Sequence, residues 1–221
     1  MEVRAEKIRK DFIRKNKNSN IFTAVKECSF LVPEGQLTVI RGRSGGGKST
    51  LINMLSGILE PTSGQVYYDD RDIYEMPDSE LSRFRNLHIG FVPQGKSAIA
   101  SLTVMENILL PCTLYGEKNE EGAVELMEQF DIAHLKDAMP RELSGGELRR
   151  MAIARALLKK PEVLFADEPT GDLDDENTRI VFQTLREVAE NGTAVLMVTH
   201  EGEAESFADR VYRMDAGELN G

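Results

Sequence analysis

At 221 residues, with 29% charged side chains and a net charge of −10, the chain has the length of one large domain and lacks the basic footprint that non-specific nucleic-acid binding needs. Its two cysteines, Cys28 and Cys112, match no metal-binding spacing and read as reduced thiols of an intracellular protein. The start of the chain has no apolar signal-like stretch, and no apolar run approaches the roughly 20 residues that a membrane-spanning helix needs, so a soluble chain is expected.

Residues 3–40 read as a strand-rich opening. Val3 and Ala5 alternate with polar neighbours, and the polar cluster of residues 15–20 reads as a loop or hairpin tip. A second extended segment over residues 23–32 closes at the turn tripeptide Pro33-Glu34-Gly35. The apolar run Leu37-Thr38-Val39-Ile40 then feeds Gly42-Arg43-Ser44-Gly45-Gly46-Gly47-Lys48-Ser49-Thr50, which the helical-looking Leu51-Ile52-Asn53-Met54-Leu55 follows. A strand, a glycine-rich turn and a helix in that order make a phosphate cradle. The glycines let several backbone N–H groups converge on one anion, and the helix adds its positive N-terminal end. In the spacing G-x-x-x-x-G-K-S, Lys48 reaches the β- and γ-phosphates of a nucleotide and the Ser49 hydroxyl sits on Mg²⁺. A glycine-rich turn alone could be a flexible loop; the full spacing is far more specific, although it suits kinases, GTPases and many others.

Pro61-Thr62-Ser63-Gly64 stops the first helix, and residues 65–68 resume an extended reading. Residues 76–85 read as a helix introduced by Pro77-Asp78-Ser79, and residues 89–92 as a short apolar strand ending in Pro93-Gln94. From 95 to 158 the character changes. Residues 102–109 and 122–130 both show helical spacing, with loops at Pro111 and over residues 116–119. This predicts a mostly helical insertion, residues 95–158, into an α/β core made of 1–94 and 159–221. The core resumes with a strand over 163–166, a helix over 176–191, a strand over 194–198 and a closing strand over 211–214. No internal repeat or low-complexity tract divides residues 1–221 further.

Four of the short apolar strands end in polar residues of different kinds: the phosphate loop, Gln94, Asp167-Glu168 and Thr199-His200. In open α/β sheets, ligands bind just outside the carboxyl ends of the strands. If these four strands are parallel neighbours, their ends converge on the nucleotide. Asp167 then suits the acidic residue that orients Mg²⁺, and Glu168 the general base that polarises the attacking water. Gln94 can offer an oxygen to Mg²⁺ and an amide to that water, and His200 can donate to the γ-phosphate and hold the water in line. Taken singly, an Asp-Glu pair before Pro169 is also what a solvated turn looks like, and a lone Gln or His is commonly structural. His88 and His134 have no motif around them and read as surface or packing residues.

A second anion-type cap, Ser144-Gly145-Gly146, precedes a helix carrying Leu148, Met151, Ala152, Ile153 and Ala156. It could be a plain helix cap with a flexible lead-in. Two caps for one nucleotide make sense if each completes the site of another copy, which predicts a head-to-tail dimer with two nucleotides sandwiched between subunits.

With these residues in hand, the chain resembles, over essentially its whole length, the nucleotide-binding subunit of ATP-binding cassette (ABC) transporters. GRSGGGKST resembles that family's Walker A motif, Gln94 its Q-loop, LSGGE its signature, VLFADEP its Walker B motif, Gly171-Asp172-Leu173-Asp174 its D-loop and His200 its switch histidine. Glu147 stands where the signature usually has Gln. The resemblance implies Phe12 as the aromatic that stacks on adenine, with Phe22 as a rival, and adds Asp174 to the nucleotide-contacting residues. It implies a P-loop NTPase α/β fold: a mostly parallel core sheet flanked by helices, an N-terminal antiparallel β region and an α-helical subdomain that docks on a membrane partner. The expected activity is ATP hydrolysis with Mg²⁺, and the expected partners are a second copy and an integral-membrane permease at the inner face of the plasma membrane. IGFVPQ, LTVMENILLP, ADEPTGDLD and VTHE are similar to the branch serving macrolide export, lipoprotein release and antimicrobial-peptide resistance, with Pro93 where that branch usually has Phe. The competing reading is a related ATPase of DNA repair or translation; those split the motifs with a long coiled coil or carry two cassettes, and neither pattern is present in this sequence.

Overall fold

The computed structural model describes residues 1–13, 21–95, 97–171 and 173–221. The polar cluster of residues 15–20 and Asp172 lie outside the described residues.

The central sheet is built from β3 (Leu37–Arg41), β6 (Ile89–Val92), β7 (Val163–Asp167), β8 (Ala194–Thr199), β9 (Arg210–Asp215) and β10 (Glu218–Asn220), in the spatial order β10-β9-β3-β8-β7-β6. The strands from β9 to β6 are mutually parallel, so the carboxyl ends of β3, β8, β7 and β6 share one edge. Near-continuous apolar runs form these strands because both faces are covered. Alternate residues divide between two cores: Leu37, Val39, Leu164, Ala166, Val195 and Met197 face one, and Ile40, Val163, Phe165, Leu196 and Val198 face the other.

The first core is closed by α3 (Val104–Thr113), α4 (Glu120–Gln129), α5 (Gly145–Leu157) and α6 (Asp175–Glu190). The second is closed by α1 (Lys48–Leu55) and by an antiparallel sheet of β1 (Val3–Ile13), β2 (Ile21–Val32), β4 (Ser63–Tyr68) and β5 (Arg71–Asp72), in the order β2-β1-β4-β5. A further helix, α2 (Asp78–His88), leads directly into β6. Between β6 and β7 the described residues form helices and loops only.

Two expectations are corrected. Pro111 is no loop residue; it lies inside α3, because the buried stripe Val104, Ile108 and Cys112 runs past it, and a proline in the last turn forfeits only one backbone bond. The chain also does not end on β9. Ala216 and Gly217 both take left-handed backbone angles, φ 45° and 80°, and turn the chain back into β10. Such a two-residue turn matches the twist of the strands it joins.

Candidate active site

Gly42 leaves β3 with its N–H donated to the Thr199 carbonyl at 3.1 Å, which ties the loop to the end of β8. A side chain there would meet the Met214 carbonyl at 2.1 Å. Gly47 has φ 104°, and a Cβ on it would lie 2.3 Å from the Ala24 carbonyl. Both positions therefore require glycine, and the loop opens onto the first turn of α1. Lys48, 4% exposed, begins that helix and folds back. Its Nζ donates to the Gly42 and Arg43 carbonyls at 2.8 and 3.1 Å and pairs with Glu168 Oε1 at 3.1 Å.

The two acidic residues at the end of β7 are treated differently. Asp167 remains in the strand and accepts the Ser49 hydroxyl at 3.1 Å. Burial pushes its carboxyl above the ordinary aspartate range; the Ser49 hydrogen bond opposes this, the Glu168 charge adds to it, and Lys48 and Arg149 oppose it. Glu168 takes φ 45°, the left-handed region that non-glycine residues avoid, and is held there by its N–H to the Val198 carbonyl at 2.9 Å. Such a conformation costs of order 1–3 kcal/mol and clusters at functional sites. Its Oε2 accepts from the His200 backbone N–H at 3.2 Å and lies 2.7 Å from His200 Nδ1. A proton on Nδ1 satisfies that contact, so in the neutral ring Nε2 is an acceptor.

Two adjoining cavities frame these groups. One, of about 200 Å³, is lined by Phe22, Ser44, Gly45, Gly47, Lys48, Ser49, Thr50, Gln94 and Glu168. The other, of about 730 Å³, is lined by Arg43, Ser44, Gln94, Glu168, His200, Arg149, Thr170 and Glu201 among others. The loop, Gln94, Glu168 and His200 are thus brought together, and Asp167 is joined to them through Ser49. An oxygen set of Ser49, Asp167 and Gln94 suits Mg²⁺, which is held by one or two carboxylates plus substrate phosphates rather than by an all-protein cage. Among the described residues no three His, Cys, Asp or Glu side chains converge as such a cage.

Other expected residues sit elsewhere. Phe22, not Phe12, lines the phosphate-loop cavity. Phe12 lies directly opposite it across β1 and β2, 38% exposed, with Lys10 Nζ over its ring at 5.5 Å. Asp174 caps α6, accepting from the Asn177 backbone N–H at 2.8 Å and from the Asn177 amide at 2.9 and 3.0 Å, and lines neither cavity. Ser144, Gly145 and Gly146 also stay off both. Ser144 caps α5 in a capping box: Glu147 N–H donates to Ser144 Oγ at 3.3 Å, and the Ser144 N–H and hydroxyl donate to Glu147 Oε2 at 2.7 and 2.8 Å. These bonds hold the Glu147 carboxyl below its usual range.

Sequence reasoning missed Arg149, Thr170 and Glu201. Thr170 donates its hydroxyl to Glu201 Oε1 at 2.6 Å, joining the turns that follow β7 and β8. The only signal for these two residues is their place within ADEPTGDLD and VTHE.

Known proteins resemble this chain in sequence and in fold. Residues 25–171 match the ABC transporter family. The chain is 40% identical to the lipoprotein-releasing system ATP-binding protein LolD of Bdellovibrio bacteriovorus, over 88% of this chain and 90% of that protein. It is 37% identical to the macrolide export ATP-binding/permease protein MacB of Chlorobaculum tepidum, over 88% of this chain but 30% of that larger protein. Among solved structures it superposes on the dimeric bacterial ABC transporter cassette MJ0796 with a TM-score of 0.90 at 32% identity, covering 98% of this chain and 96% of that one. The post-hydrolysis dimer of the same cassette, bound to ADP and Pi, matches with a TM-score of 0.89. The chain belongs to the ABC transporter family, as one of its ATPase domains.

Proposed function

We propose that two copies of this chain close on ATP and reopen when it is hydrolysed, and that this cycle drives a membrane permease. The observation that carries the reading is the Lys48–Glu168–His200 constellation at the carboxyl edge of the parallel sheet. Lys48 and the loop N–H groups grip the β- and γ-phosphates. Glu168 takes the proton of the attacking water, and His200 and Gln94 hold that water in line. Ser49, Asp167 and Gln94 would hold Mg²⁺, which when bound neutralises charge developing on the phosphates. Phe22, with Phe12 beside it, offers an apolar platform for adenine. Ser144, Gly145 and Gly146 complete the partner copy's site, and Asp174 shapes the α6 end of that surface through its cap.

The segment of residues 95–158 carries the closing movement to the permease. In support, a groove of about 330 Å³ runs between α2, β6, α3 and α5, lined by Phe91, Leu110, Leu114 and Tyr115, with Leu114 69% exposed. No described helix is long and apolar enough to cross a membrane, so attachment to the cytoplasmic face of the plasma membrane would run through the permease. The LolD and MacB relatives support export, or force passed to an extracytoplasmic domain, as the work done. A DNA-repair or translation role gains no support from these relatives.

The test is co-expression with a candidate permease. Co-purification in detergent, with ATP hydrolysis abolished by Glu168→Gln, is the expected result. Hydrolysis stimulated by DNA or ribosomes but indifferent to any permease would overturn the reading.

A further inference from the structure

Thr170 is 1% exposed, and its hydroxyl donates to Glu201 Oε1 at 2.6 Å, the short separation of a bond to a charged acceptor. A carboxylate only accepts, so the direction of this bond is fixed. Thr170 lies in the turn after β7, two residues past Glu168, and Glu201 in the turn after β8, next to His200. Both ends are anchored. The Gly171 N–H donates to the Glu168 carbonyl at 3.3 Å and the Leu173 N–H to the Thr170 carbonyl at 3.1 Å. On the other side the Glu201 N–H donates to Thr199 Oγ1 at 3.1 Å, and the buried Thr199 accepts from Gly42 through its carbonyl. The two turns are therefore joined twice, once by Thr170 and Glu201 and once by Glu168 and His200. The second link is the exposed one: the His200 side chain is 60% exposed, so packing does not fix its ring.

We propose that Thr170 and Glu201 are positioning residues: their bond sets the His200 ring against Glu168, so that the ring keeps its proton on Nδ1 and leaves Nε2 bare. Which ring nitrogen carries the proton is decided by the hydrogen bond that the ring makes. That bond goes to Glu168 Oε2 at 2.7 Å and survives only while the two turns stay in register. A buried, β-branched threonine has few rotamers, so its hydroxyl is held where the carboxylate meets it. Without this clasp, the exposed ring is free to swing away and carry its proton on Nε2. When Glu168 turns to the attacking water, the contact with Nδ1 loosens, and the Thr170–Glu201 bond keeps the turns together. The bearing on hydrolysis rests on the role given to His200 above; the clasp itself does not.

The test is NMR of the histidine rings in the full nucleotide-free chain, joined to steady-state ATP hydrolysis. The chain has three histidines, so His200→Ala identifies the His200 signal, and His88 and His134 report on the fold. At alkaline pH, where a neutral ring declares its tautomer, the unmodified chain is expected to show the His200 proton on Nδ1. Thr170→Val keeps the shape and removes the donor. In it the proton moves to Nε2 in most molecules, and kcat falls roughly 10- to 100-fold, the reach of a small misplacement at a reacting site. Thr170→Ser, which keeps the donor, restores both. A proton on Nε2 in the unmodified chain overturns the proposal, and so does an Nδ1 form that persists in Thr170→Val, whatever its kcat. Where His200→Ala is slow, a lost Nδ1 form with kcat unchanged overturns it too. Where His200→Ala hydrolyses ATP at the unmodified rate, the role given to His200 fails instead, and the ring spectrum alone decides the clasp. If Thr170→Val does not fold, Glu201→Met removes the acceptor from the other side with the same expectations, while Glu201→Gln, which keeps an oxygen there, retains the Nδ1 form.

Discussion

Lys48 and Glu168 meet at 3.1 Å with side chains 5% and 9% exposed, so the cation that should grip phosphate is held by the carboxylate that should activate water. His200 occupies the other oxygen of Glu168 at 2.7 Å. Nucleotide must therefore displace a buried ion pair before either residue can act, and Glu168 is released toward the water as Lys48 turns to the phosphates. In Glu168→Gln the lysine keeps the Gly42 and Arg43 carbonyls and loses only its counter-charge. ATP binding is expected to persist, while phosphate release falls by roughly 10²–10⁴-fold, the worth of a general base. With ATP the variant should run as a dimer on a sizing column. Hydrolysis at the unmodified rate would sink the assignment of the base.

Lys48→Ala removes the cation and leaves Glu168 with His200 as its remaining near partner. Hydrogen bonds to charged groups contribute about 1.5–3 kcal/mol, so ATP affinity should fall roughly 10- to 150-fold. Titration with a fluorescent ATP analogue measures this directly. Unchanged affinity would count against the cradle, because nothing else in the loop supplies a full positive charge at that point except the exposed Arg43.

The four converging strands were legible because burial on both faces turns a strand into a short unbroken apolar run, and each such run ends at a polar group. The glycines of the loop were legible for a similar reason: Gly42 and Gly47 sit where any side chain would strike a backbone carbonyl. Arg149 was not. In Leu148-Arg149-Arg150-Met151 an inward arginine reads as part of a solvated face, and the Pro93 carbonyl that accepts from it is distant in sequence. Phe12 and Phe22 could not be told apart by spacing because they lie opposite one another on paired strands, and register decides which reaches the loop. Asp174 carries a motif position and also caps α6, a role that its spacing to Asn177 is consistent with.

Asp167 predicts a pH dependence. Burial raises its carboxyl, so the folded chain holds that proton more tightly than the unfolded chain does. The stability that this one group contributes is fully present below the ordinary aspartate value of 3.8 and is lost as pH rises from there through the raised folded value. At neutral pH the nucleotide-free chain bears the whole cost. Asp167→Asn removes it and still offers an oxygen to the Ser49 hydroxyl. Its Tm at pH 7 should rise above that of the unmodified chain. The advantage should shrink toward pH 4 while ATP hydrolysis is lost. A Tm at pH 7 below that of the unmodified chain would falsify the claim that this carboxylate is a strained ligand rather than a stabilising one.

Ser144 tests the sandwich. It is exposed, its hydroxyl proton is donated to Glu147 at 2.8 Å, and it lines neither cavity around its own Lys48. A residue so placed can serve phosphate only on another copy. Ser144→Arg should cost about 1 kcal/mol through the lost cap, too little to unfold the chain. Monomeric ATP binding should survive, because the cradle is built on other strands. Closure should not: the arginine could attract a γ-phosphate, but its length holds the two surfaces apart and fills the space where Gly145 and Gly146 must approach. Combined with Glu168→Gln, which otherwise traps the closed form, Ser144→Arg should remain monomeric on a sizing column in saturating Mg-ATP. An ATP-dependent dimer of that double variant would contradict the sandwich and return Ser144 to an ordinary helix cap.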